Sequence, residues 1–377
     1  MSSTSPKHAA RCIVRTAWQA YSHRFNTRVQ LRYALRNTAS HPLDFQAPQV
    51  ADERFQLAMR NYRSTRHREW LYDICVPTYI EPTHGFVFGP RGEWLRDSFN
   101  YHHMLDEVPF YRAASLIRHR AGIPRVECAV SLRCFTEGNY WHFYDDFLSK
   151  LRLVDGLDLA SDVPLLVGER LWRQPFFSEA ISRGPLQHRN WMRHTGALRV
   201  GRLIIAVPMS FQRANIEHAL SILAAPPPEE SVRRLFVDRG KHRGRQLTNV
   251  SDLLPVLGEF GFETVDPDGI SLAEQMALFG SGRLVVANHG ASLANLVFRL
   301  GQPLDIVELF PPDYIHPHFV WLAHACGFRY DALVGETVGR GHFRVEPDLF
   351  RTSIAAAVAR VEEPRGEIGV TSLDNGS

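Results

Sequence analysis

Residues 284–311, LVVANHGASLANLVFRLGQPLDIVELFP, leave fewer folds open than any other stretch of this chain. An apolar run over 284–287 stops at Asn288-His289-Gly290-Ala291. A helical pattern follows, with Leu293, Leu296, Val297 and Leu300 on one face. Beyond Gly301 and Pro303 a second apolar run carries a single carboxylate, Glu308. Strand, tight turn, helix and strand in that order form the unit of a parallel sheet. The turn falls where a strand's carboxyl end meets a helix N-terminus, and there free N–H groups and the helix dipole favour an anion. Gly290 is expected to let the backbone approach a ligand closely, and His289 adds a side-chain donor. A phosphate-bearing ligand fits such a place.

The same alternation runs through the second half. Residues 235–237 read as extended, 250–260 as helical, 263–265 as extended and 272–279 as helical. After the segment already described, 314–326 reads as helical and 328–334 as extended. Strands alternating with helices of about ten residues predict a parallel, doubly wound sheet whose ligands sit beyond the carboxyl ends of the strands. Residues 66–200 read as a separate α/β domain, with strands at 85–88, 127–135 and 163–167 and helices at 140–153 and 176–183. The division expected is a peripheral Arg-rich arm over 1–65, a first domain over 66–200 and a second over 201–377. Pro226-Pro227-Pro228 is a stiff connection near the join.

Composition narrows the function classes. With 377 residues there is room for two cores. A net charge of +3 is too small to argue for nucleic acid, so no nucleic-acid partner is expected. The five cysteines (Cys12, Cys75, Cys128, Cys134, Cys326) are an odd number without a CxxC pair, which speaks against a zinc ribbon or a disulfide framework. The first ten residues lack an apolar signal-peptide core, and no later run reaches the ~18–20 apolar residues of a membrane span. The expectation is a cytoplasmic protein, with peripheral contact at the inner face of the membrane left open. GxSxG, GxxxxGK[ST] and HExxH are all absent, which removes several hydrolase and nucleotide-triphosphatase readings.

Three further constellations carry chemistry. Asp238-Arg239-Gly240-Lys241-His242-Arg243-Gly244-Arg245 follows a strand and precedes a helix; Arg239 and Arg245 could clamp a diphosphate, the alternative being a solvated basic loop. Asn249 either touches ligand or caps the next helix. Ser271 and Glu274 match a capping box, with Gln275 beside them as an undecided ligand contact. In Gly138-Asn139-Tyr140-Trp141-His142-Phe143-Tyr144-Asp145-Asp146, helical spacing puts His142 and Asp146 at i and i+4. They read as a general base for a hydroxyl, or as a buried structural pair; half a metal site would need ligands that no other spacing supplies. The aromatics there could stack on a sugar or fill a core. His102-His103 and His316-Pro317-His318 read as structural.

In this order the constellations resemble glycosyltransferase family 61, the DUF563 proteins. The likeness rests on Asn139-Tyr140-Trp141-His142 with Asp146, then Arg239, Arg245 and Asn249, then Gly261-Phe262-Glu263 and 271–275. It continues through His289-Gly290-Ala291 with Asn295, Glu308 before Pro311, and Gly327 with Tyr330. It covers about 137–335 and departs from the family pattern at Ser292, Ala294, Asp238 and Arg152. The resemblance implies a GT-B fold, two Rossmann-like domains facing a cleft. It also implies an inverting, metal-independent hexosyl- or pentosyltransferase without a cofactor, of a family linked to capsule and exopolysaccharide biosynthesis. A nucleotide-sugar would be the donor, and a glycan or lipid-linked saccharide the acceptor. Arg239, Arg245, Asn249, Gln275, His289, Gly290, Ala291, Asn295 and Glu308 would hold the donor, Asn139 and Trp141 the acceptor, and Asp146 with His142 would be catalytic. The alternatives are a pyruvyl- or phospho-group transferase on the same scaffold, or a non-catalytic nucleotide- or glycan-binding domain.

Overall fold

The computed structural model describes residues 6–42, 50, 52–62, 66–98, 110–230, 233–238, 244–339 and 341–362. By its internal contacts the chain divides into two compact units. The first takes residues 1–45, 62–227 and 271–276, the second 46–61, 228–270 and 277–377. This differs from the division expected from sequence. The strand Leu198–Val207 runs straight through the expected boundary at 200/201, because its apolar residues pair on both sides within one sheet. Within the stretch expected to be a peripheral arm, Ala34–Pro42 supplies an edge strand to one unit, and Glu53–Tyr62 supplies a helix that groups, up to residue 61, with the other.

The first unit is built on an eight-stranded mixed sheet. Its strands are β1 (Ala34–Pro42), β2 (Arg66–Ile74), β3 (Thr78–Ile80), β4 (Val87–Phe88), β5 (Arg125–Ser131), β6 (Leu165–Gly168), β7 (Trp191–His194) and β8 (Leu198–Val207). The order is β1-β2-β8-β5-β6-β7, with β3 pairing β8 and β4. From β8 to β7 the pairing is parallel; β1, β2 and β3 add antiparallel neighbours that the sequence pattern did not reveal, and β4, within the strand expected at 85–88, pairs antiparallel with β3. The central strands are apolar on both faces, with Val200, Leu203, Ile204, Ile205 and Ala206 of β8 all buried, so no alternation marks them.

The second unit has the clearer plan. Its parallel strands β9 (Arg233–Val237), β11 (Phe262–Val265), β12 (Gly282–Asn288), β13 (Asp305–Phe310) and β14 (Arg329–Val334) lie in the order β11-β9-β12-β13-β14. A small sheet of β10 (Gln246–Leu247), β16 (His342–Arg344) and β15 (Glu336–Thr337) sits beside it. Leu284, Val286, Val307 and Leu309 share a core with the helices Val250–Glu259 and Pro347–Glu362. Alternation therefore turns Val285, Ala287, Ile306 and Glu308 to the opposite face. Each fully buried Val, Leu or Phe contributes about 1.5–3 kcal/mol over its exposed state, so this two-sided core fixes the strand register firmly. The strand order also creates a switch point. The chain leaves β9 toward one edge of the sheet and β12 toward the other, which opens a crevice at their carboxyl ends.

Two local differences bear on the site. Ala291–Arg299 is a 3-10 helix rather than an α-helix, and residues 293–299 are buried without exception, so it has no solvent face for an amphipathic pattern to mark. Gly290 has φ −178°, extended backbone open to any residue, so torsion gives no reason for glycine there.

Candidate active site

At the carboxyl end of β12 the chain turns through Asn288-His289-Gly290. The His289 N–H donates to the Leu309 carbonyl at 3.0 Å, which fixes the turn against β13. Ala287 stands opposite Glu308, and Ile306 opposite Tyr330, so Glu308, Tyr330 and His289 share one face of the sheet. Their side chains join there: His289 Nδ1 lies 2.5 Å from Glu308 Oε1, and the Tyr330 hydroxyl donates to Glu308 Oε2. Glu308 is fully buried and His289 nearly so. Burial pushes the Glu308 carboxyl well above its ordinary range, against the opposing pull of the Tyr330 hydrogen bond and the Arg245 charge. Burial and the neighbouring Glu308 likewise raise the Tyr330 phenol. Glu308 thus serves as the backing of His289, holding the ring in one orientation.

In front of this chain of hydrogen bonds the groups are cationic or aromatic. Arg245 adopts φ +60°, a left-handed conformation that costs a non-glycine residue on the order of 1–3 kcal/mol. Its guanidinium lies over the Tyr314 ring at 4.3 Å. Tyr314 is 4.2 Å from the His316 ring and 5.5 Å from His289, ring centre to ring centre, and His316 stacks on His318 at 5.7 Å. Burial, then the charges of His289 and Arg245, hold the His316 imidazole down to about 4. Burial is the larger cause of that depression, and the charges of His289 and Arg245 add to it; cationic groups set side by side in this way favour an anion. At the same strand end the buried Asn288 Oδ1 has no hydrogen-bond partner among the described residues, which leaves it able to accept from a ligand.

Of the residues expected to hold a donor, Arg245, His289 and Glu308 gather here, with Gly290 and Ala291 in the turn itself. Asn295 is buried within the 3-10 helix. Asn249 begins the helix Val250–Glu259, but its side chain is spent elsewhere: the amide donates to the Val345 carbonyl at 2.8 Å and accepts from the Val345 N–H at 3.1 Å. Ser271 and Glu274 form the expected capping box, with Ser271 N–H donating to Glu274 at 2.7 Å and Glu274 N–H to Ser271 Oγ at 3.2 Å. Gln275 follows them, in a short stretch that groups with the first unit. Arg239 lies outside the described residues, as do His102 and His103. His316 and His318, read as structural from spacing, stand beside His289 with ring centres 6.3 and 6.4 Å away. The signal was available, because their loop leaves the carboxyl end of β13 just as the His289 turn leaves that of β12.

The first unit holds the other expected cluster. The helix containing it is not regular. It runs as an α-turn over Tyr140–His142, a π-helix over Phe143–Leu148 and an α-helix over Ser149–Asp155. Single π-turns inside α-helices often accompany functional sites. Here the π-turn buries all six of its residues, with Phe143 and Phe147 packed against Phe177. His142 Nδ1 meets Asp146 Oδ2 at 2.5 Å; the imidazole side chain is 16% accessible and the carboxylate 1%. Burial alone would depress His142, but the charge and hydrogen bond of Asp146, then the charge of Asp145, raise it above its ordinary 6.5. Asp145 is pushed up to about 7, first by burial and then by Asp146, although it accepts the Phe211 N–H at 3.0 Å. Phe211 makes that contact from a left-handed backbone, φ +58°.

Neighbouring residues have structural duties. The Asn139 side chain caps the helix by accepting the Trp141 N–H at 2.9 Å, and Trp141 is buried against Phe211 with ring centres 5.5 Å apart. Both were expected to touch acceptor; in the structure both hold the start of the helix in place. Arg152 bridges Asn215 and Glu69. Glu137 is paired with the buried Arg133.

Among the described residues no three His, Cys, Asp or Glu side chains come together as a metal site, and no helix is long and apolar enough to cross a membrane. No curated protein compared with the sequence matches it. Residues 140–306 match the family model described as Glycosyltransferase 61, which begins two residues before His142 and ends two before Glu308. Over that segment the chain is similar to the glycosyltransferases of family 61.

Proposed function

We propose that the protein is an inverting glycosyltransferase of GT-B architecture that takes its sugar from a nucleotide-sugar and gives it to a glycan or lipid-linked saccharide hydroxyl. The observation that carries the donor assignment is the switch point of the second unit, where His289, Arg245 and the His316 loop converge on the carboxyl edge of a parallel sheet. Such a cluster suits a diphosphate: Arg245 offers a planar fork of donors, and His289, braced by Glu308, offers a fixed one. Positive charge already in place stabilises the leaving diphosphate as its bond to the anomeric carbon breaks. The Asn288 amide oxygen is an acceptor for a sugar or ribose hydroxyl.

The acceptor proton goes to the His142–Asp146 pair in this reading. His142 is the accessible member, so the ring receives the proton while Asp146 behind it sets the tautomer and steadies the imidazolium. One displacement inverts the anomeric carbon, so a base and a stabilised leaving group suffice and no covalent nucleophile is involved.

Titration with UDP, GDP, CMP and phosphoenolpyruvate, read by calorimetry, tests the reading. Saturable binding of one nucleoside diphosphate, weakened in Arg245→Ala, is the result expected. Binding of phosphoenolpyruvate alone would move the reaction to pyruvyl transfer, and nucleotide binding without any turnover would make the chain a binding domain.

A further inference from the structure

The helix Pro6–Tyr33 has two faces of opposite character. The inner face is anchored in the first unit. Phe25 and Val29 join the core around Trp70 and Tyr72, Trp18 donates to the Gly92 carbonyl at 2.7 Å, and Asn26 both donates to the Trp94 carbonyl at 2.7 Å and accepts the Arg96 N–H at 2.8 Å. The outer face carries Tyr21, Arg24, Arg28, Leu31 and Arg32, a spacing of three and four residues that lines them along one stripe, with Val14 one heptad before Tyr21. The three arginines are exposed and form no ion pair among the described residues. Leu31 between them is 81% exposed and Val14 54%.

The charge around this stripe is one-sided. Residues 1–43 contain seven lysines and arginines and neither aspartate nor glutamate, in a chain whose totals, 43 basic and 40 acidic, nearly balance. Fixed cations interleaved with exposed apolar side chains on a rigidly mounted helix match a surface that is negative outside and apolar just beneath. We propose that this face docks the protein on an anionic lipid bilayer, with Arg24, Arg28 and Arg32 on the headgroups and Tyr21, Leu31 and Val14 entering the interface. Nucleic acid would answer the charge but leave Leu31 and Val14 in water, so the bilayer is the better match. The inference is independent of the reaction proposed above, because no residue of either cluster lies on this helix.

Sedimentation of the full chain with phosphatidylcholine vesicles, with and without phosphatidylglycerol, tests it. Binding confined to the anionic vesicles and weakened by salt is expected. Arg24→Gln, Arg28→Gln and Arg32→Gln combined should lower partitioning roughly a hundredfold, since each basic residue near an anionic surface contributes about fivefold. Leu31→Asp alone should lower it several-fold, and melting temperatures should not move, because these side chains point away from the fold. Equal partitioning of the triple variant, or no wild-type binding to anionic vesicles, overturns the proposal. So does single-stranded RNA that binds this face equally well in wild type and Leu31→Asp, which would assign it to nucleic acid.

Discussion

Two histidine–carboxylate pairs, one in each unit, are chemically alike and physically opposite. His142 and Asp146 are four residues apart on one helix, and a second carboxylate, Asp145, stands beside them. His289 and Glu308 are nineteen residues apart on neighbouring strands, with Arg245 and His316 beside them. The first pair therefore sits in a negative setting that raises its histidine and suits it to accept a proton. The second sits in a positive setting where a buried, proton-retaining Glu308 serves as a brace and the open positions suit an anion. The identity of a dyad says little about its work; the charges around it decide.

The sharpest way to break this contrast is Asp146→Asn, which keeps the shape and removes the carboxylate's charge. If the first pair takes the acceptor proton, kcat should fall by about 10²–10⁴-fold while nucleotide affinity stays as it was. Steady-state kinetics and calorimetry read the two together. A well-folded variant keeping more than about a tenth of the wild-type kcat would dismiss the pair as the base.

A smaller effect is expected on the other side. His289→Ala should weaken nucleoside diphosphate binding by about 1–3 kcal/mol, the range for a lost charge-assisted hydrogen bond. Tyr330→Phe, which touches only the brace, should weaken it less. Equal losses in the two variants, measured by titration, would mean that Glu308 and Tyr330 contact the ligand themselves.

The smallest effect sharpens the contrast through pH. Asp145, ordinarily near 3.8, is held at about 7, so between those values the folded chain keeps a proton that the unfolded chain has released. Its contribution to stability then declines as pH rises across that window, and the loss is complete once pH passes about 7. His142, itself raised, adds a loss of the same sign above 6.5. Asp145→Asn should remove that contribution, so that its melting temperature gains on the wild type as pH rises from about 4 to 7. A difference between the two proteins that stays constant with pH would show that Asp145 titrates normally.

What could be read from sequence follows the same contrast. The His142–Asp146 pair was legible because helical spacing brings i and i+4 together, and it survived even though the helix widened into a π-turn. In the second half, apolar runs and turns revealed every strand of the parallel sheet, because each is short, continuous and bounded by Gly, Pro or a charged loop. His289 and Glu308 were each singled out, but their pairing depends on strand register, which only the assembled sheet fixes. The same holds for Tyr330 and for the His316 loop. In the first unit, β2, β3, β7 and β8 passed unnoticed because strands buried on both faces, or only three or four residues long, carry no period.

The short helix Glu53–Tyr62 has a consequence for how the protein is made. Its Phe55 and Met59 are fully buried, Phe55 lies against Phe310 and Tyr330, and Arg54 donates to the Gly335 carbonyl, 281 residues further along the chain. At ribosomal speeds of roughly 5–20 residues per second, that helix emerges on the order of tens of seconds before its partners exist. During synthesis its apolar face has nowhere native to go. The nascent chain therefore carries a sticky segment through most of its elongation, and a holding chaperone or slow, cool expression should decide the yield of folded protein more than the stability of either finished core.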